Sequence, residues 1–298
     1  MKKKRTIISV AAAVISAFLF GGCAAAYYQS GENGVENAEI ADSAGAAESL
    51  EPLGEEETES LIRPDNLILN EWYEYEYDSF GNRTKQAEYD SEGNVKRRYG
   101  YEYDSSGNLT KQVAYSSEGS VEQWNEYEYD ESGNRTTRTA YNPDGSVFNK
   151  YVYEYDSFGN MTKQIMHNPD GSVSFREEYE YEYDKSGNLT KRTVYNQEGD
   201  VNWREEYAYD GFGNLTKQEV YYLGGFRWYG YAYDDFGNLT KRAQYDSEGS
   251  MEGRNEYEYD GVGNLTKRAQ YDSEGSVERW NEYEYDESGN LTKESLFK

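Results

Sequence analysis

Residues 101–111 read YEYDSSGNLTK, and the chain writes nearly the same line at 127–137 (YEYDESGNRTT), 181–191 (YEYDKSGNLTK) and 283–293 (YEYDESGNLTK). Anchored on the Asp of the Tyr-Asp pair, the unit recurs at Asp78, Asp104, Asp130, Asp156, Asp184, Asp210, Asp234, Asp260 and Asp286, with spacings of 26, 26, 26, 28, 26, 24, 26 and 26. A fixed period of this size marks a repeat array, in which each unit buries its surface against its neighbours. Nine such units make one continuous array over 65–298, with no internal domain boundary.

With the Asp as position 0, Gly always stands at +3 and Asn at +4, as in Asp104, Gly107 and Asn108. Most units carry a second turn with Asp or Asn at +12 and Gly at +15, as in Asn142-Pro143-Asp144-Gly145. These patterns suit a type I turn whose Gly takes the left-handed position of a three-residue hairpin loop. Two reversals per unit predict two strands per unit, about 18 in all, running as an antiparallel meander. In this geometry residue 0 pairs with +4 and Tyr at −1 faces +5, which is Leu109 or Leu265, for example. Strict two-residue alternation then collects Leu at +5, the residue at +9, Tyr at +11, Val at +17 and the tyrosines at −3 and −1 on one face. The charged face receives Thr at +6, Arg or Gln at +8, and Glu at −4 and −2, which places Glu −4 opposite +8.

The chain holds 33 tyrosines, whose rings substitute for a scarce aliphatic core while their hydroxyls reach water or backbone. A sheet of 18 strands with one apolar face does not stay flat. It is predicted to coil with the tyrosines inward into a curved or spiralled all-β shell, its last edge strand guarded by Lys293 and Lys298.

The first residues follow a different logic. Lys2, Lys3, Lys4 and Arg5 precede an apolar run from Ile7 to Phe20 that stops at Gly21-Gly22-Cys23. This is the layout of a signal helix, too short for a comfortable span of about 20 residues. Leu19-Phe20-Gly21-Gly22-Cys23 resembles a bacterial lipobox, although Phe20 stands where that pattern prefers Leu. The resemblance implies a signal peptide over 1–22 and lipidation at Cys23, the only cysteine. Residues 23–64 then form an acidic tether. Between Ala24 and Ile62 there is no Lys or Arg but ten acidic residues, so the segment cannot offset its ordering entropy and is expected to be disordered. The expected location is therefore the cell envelope, with membrane contact only through the lipid at Cys23. Removing the signal changes the net charge from −27 to −31, which disfavours nucleic acid as a partner.

Tyr-x-Tyr-Asp-x-x-Gly-Asn-Leu-Thr, followed by the Asp-Gly turn, resembles the YD repeats of the Rhs, teneurin and insecticidal toxin-complex families. That resemblance covers the whole array and implies a spiralling β shell with an extracellular role, often carbohydrate binding or toxin encasement. The Asp-Pro-x-Gly-Leu motif of Rhs toxins is missing, since no proline follows Pro169, so encapsulation and self-cleavage are not expected.

No catalytic residue, metal ligand set or cofactor motif emerges. His167 stands alone at +11, a tyrosine position. The carboxylates recur at turn and strand offsets, where an active site would be unique, and each Asn-x-Thr reads as hairpin chemistry. An enzyme is not expected. Trp203 lies at −7 and belongs with the core. Trp72, Trp124, Trp228 and Trp280 lie at −6 on the charged face, where an indole stacks on a sugar or covers a neighbour such as Arg268. The 24-residue unit disrupts its second turn and concentrates aromatics, including Tyr222 and Phe226. These six residues are the candidate ligand contacts. The expected function is a surface binding or adhesion module for a polysaccharide or another surface protein, with a structural spacer as the alternative.

Overall fold

The structure is a computed structural model and describes residues 60–298. The signal segment, Cys23 and most of the tether lie outside the described residues.

Eighteen strands run in sequence from β1 (Leu69–Tyr77) and β2 (Arg83–Asp90) to β18 (Leu291–Phe297), each antiparallel to the next. The turns have the expected geometry. Asp78 donates its backbone N–H to Asn82 at 2.9 Å, Gly81 donates to Asp78 at 3.1 Å, and Gly81 has a φ of 83°. Only glycine takes such a φ without strain, which is why +3 never varies.

The sheet closes. β1 pairs with β18, bringing Trp72, Tyr73 and Glu74 opposite Ser295, Glu294 and Lys293. In position numbers this is −6 to +9, −5 to +8 and −4 to +7, the same register in which Trp124, Asn125 and Glu126 meet Val113, Gln112 and Lys111. The seam thus copies a second hairpin without its turn. Closure removes both unpaired edges. Lys298, expected to guard an edge, instead exchanges two 3.1 Å backbone bonds with Ile68. Strands contact only their sequence neighbours and the seam partner, as in a wide barrel whose walls stand apart.

The partition of side chains corrects the simple alternation. Tyr77 pairs with Arg83 but Glu76 with Lys85, leaving Thr84 as an extra residue; at the other end Tyr89 pairs with Val95 but Glu88 with Arg97. A β-bulge after every turn but the one between Tyr222 and Gly225 adds one residue to one strand and reverses the parity of all that follows. Position +8 therefore joins the tyrosines at −3 and −1, while +9 and +11 join Trp at −6 and Glu at −4 and −2. Glu74 faces Ala87 at +9 rather than the residue at +8, and Tyr75 faces Gln86.

Tyr127, Tyr153, Tyr179 and Tyr231 are each 8% exposed although no second layer among the described residues covers them. On the other face Glu76 and Lys85 keep side-chain exposures of 64% and 66%. Side chains crowd on the concave side of a closed sheet, so the tyrosines line the inside and the Glu, Lys and Trp positions form the outer wall.

The irregular units keep this parity. In the 24-residue unit Tyr221 meets Phe226 and Tyr222 meets Gly225 around a two-residue turn, with no bulge. Two residues are lost, one from the loop and one from the bulge, so the turn is shortened rather than broken. The 28-residue unit lengthens β9 (Val173–Tyr183) and shifts its register by two: Lys163 meets Glu178, whereas Lys111 meets Glu126.

Candidate functional site

The inner wall is a ladder of phenols, amides and guanidinium groups. The hydroxyl of Tyr101 donates to Gln86 at 3.0 Å, that of Tyr127 to Gln112 at 3.1 Å, and that of Tyr231 to Gln218 at 2.7 Å. Arg83 lies between the rings of Tyr75 and Tyr101, and Arg135 between those of Tyr127 and Tyr153. The tyrosine of the Tyr-Asp pair has its own task. Tyr129 donates to the carbonyl of Leu109 at 2.8 Å, Tyr209 to that of Leu189 at 2.8 Å and Tyr285 to that of Leu265 at 2.8 Å. Position +5 is where the bulge interrupts the ladder, so this phenol serves a carbonyl that a regular strand would have paired.

Burial is the first cause that pushes these phenols up, to about 12 at Tyr101, Tyr233 and Tyr259. One inner cluster surrounds Glu205, which is 7% exposed. It accepts from Arg192 Nε at 2.8 Å, from Gln218 Nε2 at 2.9 Å and from the Tyr207 hydroxyl. Glu205→Ala leaves all three donors without their acceptor and is expected to lower unfolding free energy by about 3 kcal/mol, measured by urea denaturation. A loss under about 1 kcal/mol would show that the cluster is solvated.

The turns spend their carboxylates internally. Asp104 Oδ1 accepts from the backbone of Ser106 at 2.8 Å and Asn108 at 2.9 Å, and Oδ2 accepts from Asn108 Nδ2 at 2.9 Å. The Asn108 amide holds this carboxyl below the usual range, with the backbone donors assisting. Thr110 Oγ1 donates to the Glu102 carbonyl at 3.1 Å. Both polar groups of the Asn-x-Thr sequence are therefore engaged. His167 sits at its +11 position, paired with Val173, its Nδ1 3.2 Å from the Gly171 carbonyl.

The structure places Trp72, Trp124, Trp228 and Trp280 on the outer wall, each beside an aromatic at +11. Trp72 stacks on Tyr89 at 3.9 Å, Trp124 on Tyr141 at 5.1 Å and Trp228 on Tyr245 at 3.9 Å. Lys293, Lys111 and Lys217 lie 5.2, 5.9 and 5.4 Å from those three indoles. A ring neighbour and an ammonium thus already engage the indoles, which leaves little face for a sugar. Trp228 is 2% and Trp280 1% exposed. Arg268 does not cover Trp280: it pairs with Asn281 on the inner wall, while Trp280 faces Ala269. Trp203 lies inside, under Arg192 at 4.7 Å. Tyr222 is 38% exposed at its short turn, and Phe226 stacks on Tyr221 at 5.5 Å.

Sequence reasoning passed over the first-turn tips. Position +2 holds Phe80, Phe158, Phe212, Phe236 and Val262, exposed by 88%, 90%, 94%, 91% and 85%. All first turns lie at one end of the barrel, and six of the nine turn glycines approach the Asn of a neighbouring first turn. A Cβ built on Gly107 would lie 3.8 Å from Asn82 Oδ1, and one on Gly81 3.8 Å from Asn290 Oδ1 across the seam. Phe212, Phe236 and Val262 occupy consecutive turns, two strand spacings or about 10 Å apart. Ser106, Ser132, Ser186 and Ser288 hold the same position in other units, so the turn itself does not need an apolar tip. That contrast was legible in the sequence.

The family model described as RHS Repeat matches residues 129–173. The Tc holotoxin pore of Photorhabdus luminescens is 15% identical over 74% of this chain and 13% of that chain, with a TM-score of 0.34. A porin-like protein from Bacteroides uniformis is 13% identical over 77% of this chain and 95% of that one, with a TM-score of 0.41. The TcdB2-TccC3 complex is 13% identical over 74% of this chain and 16% of that chain, with a TM-score of 0.26. The chain therefore spans only a small part of the toxin chains. No curated protein matches it.

Proposed function

Because the chain is an array of RHS repeats that closes on itself, we propose that it is a non-enzymatic binding module, lipid-anchored to the bacterial cell envelope through Cys23, that captures another surface protein on its phenylalanine rim. The single observation that carries this reading is the arc of nearly fully exposed Phe212, Phe236 and Val262. Exposed apolar groups of this size, grouped at one end, mark contact surfaces. Each tip stands two residues from a turn aspartate, so a suitable partner presents apolar pockets beside basic side chains. Phe has no polar handle for a sugar, and the tryptophans are engaged by neighbours, which moves the reading from polysaccharide toward protein. The outer wall carries exposed Glu and Lys along its strands, unlike the apolar band of a membrane-spanning barrel. The acidic tether supplies reach.

The test compares the mature protein with the triple variant Phe212→Ser, Phe236→Ser, Val262→Ser in cross-linking on the native envelope. Partner capture is expected to fall at least tenfold, with unfolding free energy unchanged within about 1 kcal/mol because the rings are exposed. A folded variant that retains every cross-link would overturn the reading. It would favour the structural spacer, whose effects should follow repeat number alone.

A further inference from the structure

The described residues begin before the barrel does. Ser60–Leu67 lies as a strap across the outer wall, and its contacts define a groove. Leu67 packs with Ala269 and Trp280, joined by Leu61, Tyr271, Val277 and Phe297. Leu61 donates its N–H to Glu258 at 2.8 Å, and its carbonyl accepts from Lys267 at 3.1 Å. Arg63 lies 3.7 Å over the Phe297 ring and 3.7 Å from Glu282 Oε1. A peptide backbone, an arginine and two leucines are thus each recognised by a named group.

Each of those positions recurs 156 residues earlier, six units away along the wall, six of the eight with the same residue. Glu258, Lys267, Ala269, Tyr271, Val277, Trp280, Glu282 and Phe297 correspond to Glu102, Lys111, Val113, Tyr115, Val121, Trp124, Glu126 and Tyr141. The pairing is the same: Trp124 meets Val113 and Tyr141, as Trp280 meets Ala269 and Phe297. The copy is less covered. Trp124 is half-buried where Trp280 is 1% exposed, and Val121 is 38% exposed. Trp124 Nε1 is shielded but has no partner among the described residues, whereas Trp280 Nε1 donates to Glu282 at 3.0 Å. The unit containing Trp228 does not repeat the set, because Ala208 and Glu219 stand at the positions of Glu258 and Ala269.

We propose that the Trp124 groove is a second peptide-binding site, which takes an extended segment of another protein with the chemistry of the strap: a leucine, an arginine two residues on, and a second leucine four residues beyond that. In this site Glu102 and Lys111 hold the backbone at the first leucine, as Glu258 and Lys267 do in the strap. The arginine lies over Tyr141 and pairs with Glu126. The second leucine packs on Val113 and Trp124. Val113 raises the floor relative to Ala269, so the site is shallower than the one the strap fills. The chain's acidity favours a basic segment over an acidic one.

The probe is the acetylated octapeptide SLIRPDNL, the strap's own sequence, titrated in trans against the mature protein with tryptophan fluorescence as the readout. One peptide per protein is expected. Affinity should fall at least tenfold in Glu126→Lys, fall with added salt, and fall at least tenfold when the peptide arginine becomes glutamate. Glu126 is exposed enough that its substitution leaves the fold intact, which the circular dichroism spectrum checks. Glu282→Lys, which weakens the strap's own site, is the control. If Glu282→Lys abolishes trans binding while Glu126→Lys does not, the peptide is only displacing the strap and the proposal fails. Absence of binding at millimolar peptide also overturns it.

Discussion

Raising the pH from 9 to 12 is expected to unfold the barrel cooperatively, with loss of β-sheet circular dichroism and release of phenolate absorbance in one transition. The inward phenols are raised by burial, which disfavours the phenolate. Tyr101, Tyr233 and Tyr259 stand at about 12. Tyr75, Tyr179, Tyr207 and Tyr283 are also raised, each first by burial and then by a neighbouring glutamate. Their folded values exceed the ordinary value of about 10 in the unfolded chain. The stability they contribute is therefore fully present below about pH 10 and is lost as pH rises through the folded values. Arg83 pulls Tyr75 and Tyr101 back down, but burial outweighs it. Because the same phenols recur around the wall, the losses accumulate in one closed structure. A phenolate titration centred near 10, with the β signal intact, would show that water and hydroxide reach the inner wall freely.

Trp280→Ala should cost about 3–5 kcal/mol, the range for removing a fully buried large ring. The indole is 1% exposed and lies among Ala269, Phe297 and the strap residue Leu67. The damage is expected to be local as well as global. Without the indole the strap loses its apolar support, so amide exchange should quicken at Ile62–Leu67 before it does in the inner strands. Trp72→Ala is the useful comparison. Its ring is half-buried and stacked on Tyr89, a contact worth about 0.5–1.5 kcal/mol beyond area burial, and it should cost less than half as much. Equal losses from the two would mean that the strap adds nothing at Trp280.

At low pH the turns respond with the opposite sign. Asp78, Asp104, Asp130, Asp156 and Asp286 are held below the ordinary range, chiefly by the Asn amide at +4. Their contribution is present above about pH 4 and fades as pH falls through the lowered values. Asp104→Asn keeps the turn's acceptor at Oδ1 and should lessen this acid sensitivity at its own hairpin.

Much of this architecture is local, and local features were legible. The Asp, Gly and Asn of each first turn are joined by bonds spanning at most four residues, as between Asp104 and Asn108. Residue types alone therefore set the turns, the strand number, the meander and the inward place of the tyrosines at −3 and −1. The bulges escaped because no residue type marks them. Thr84 looks like any strand residue, yet its insertion sends Tyr89 outward to Trp72 and Gln86 inward to Tyr101. Closure escaped for another reason: pairing Trp72 with Ser295 depends on the twist summed over every strand between them, and no local pattern encodes a sum. The same holds for the tryptophans, which share one offset. Only the tertiary structure, by laying Leu61 and Leu67 over Trp280 and leaving Trp124 half-covered, made one a core residue and the other the floor of a groove.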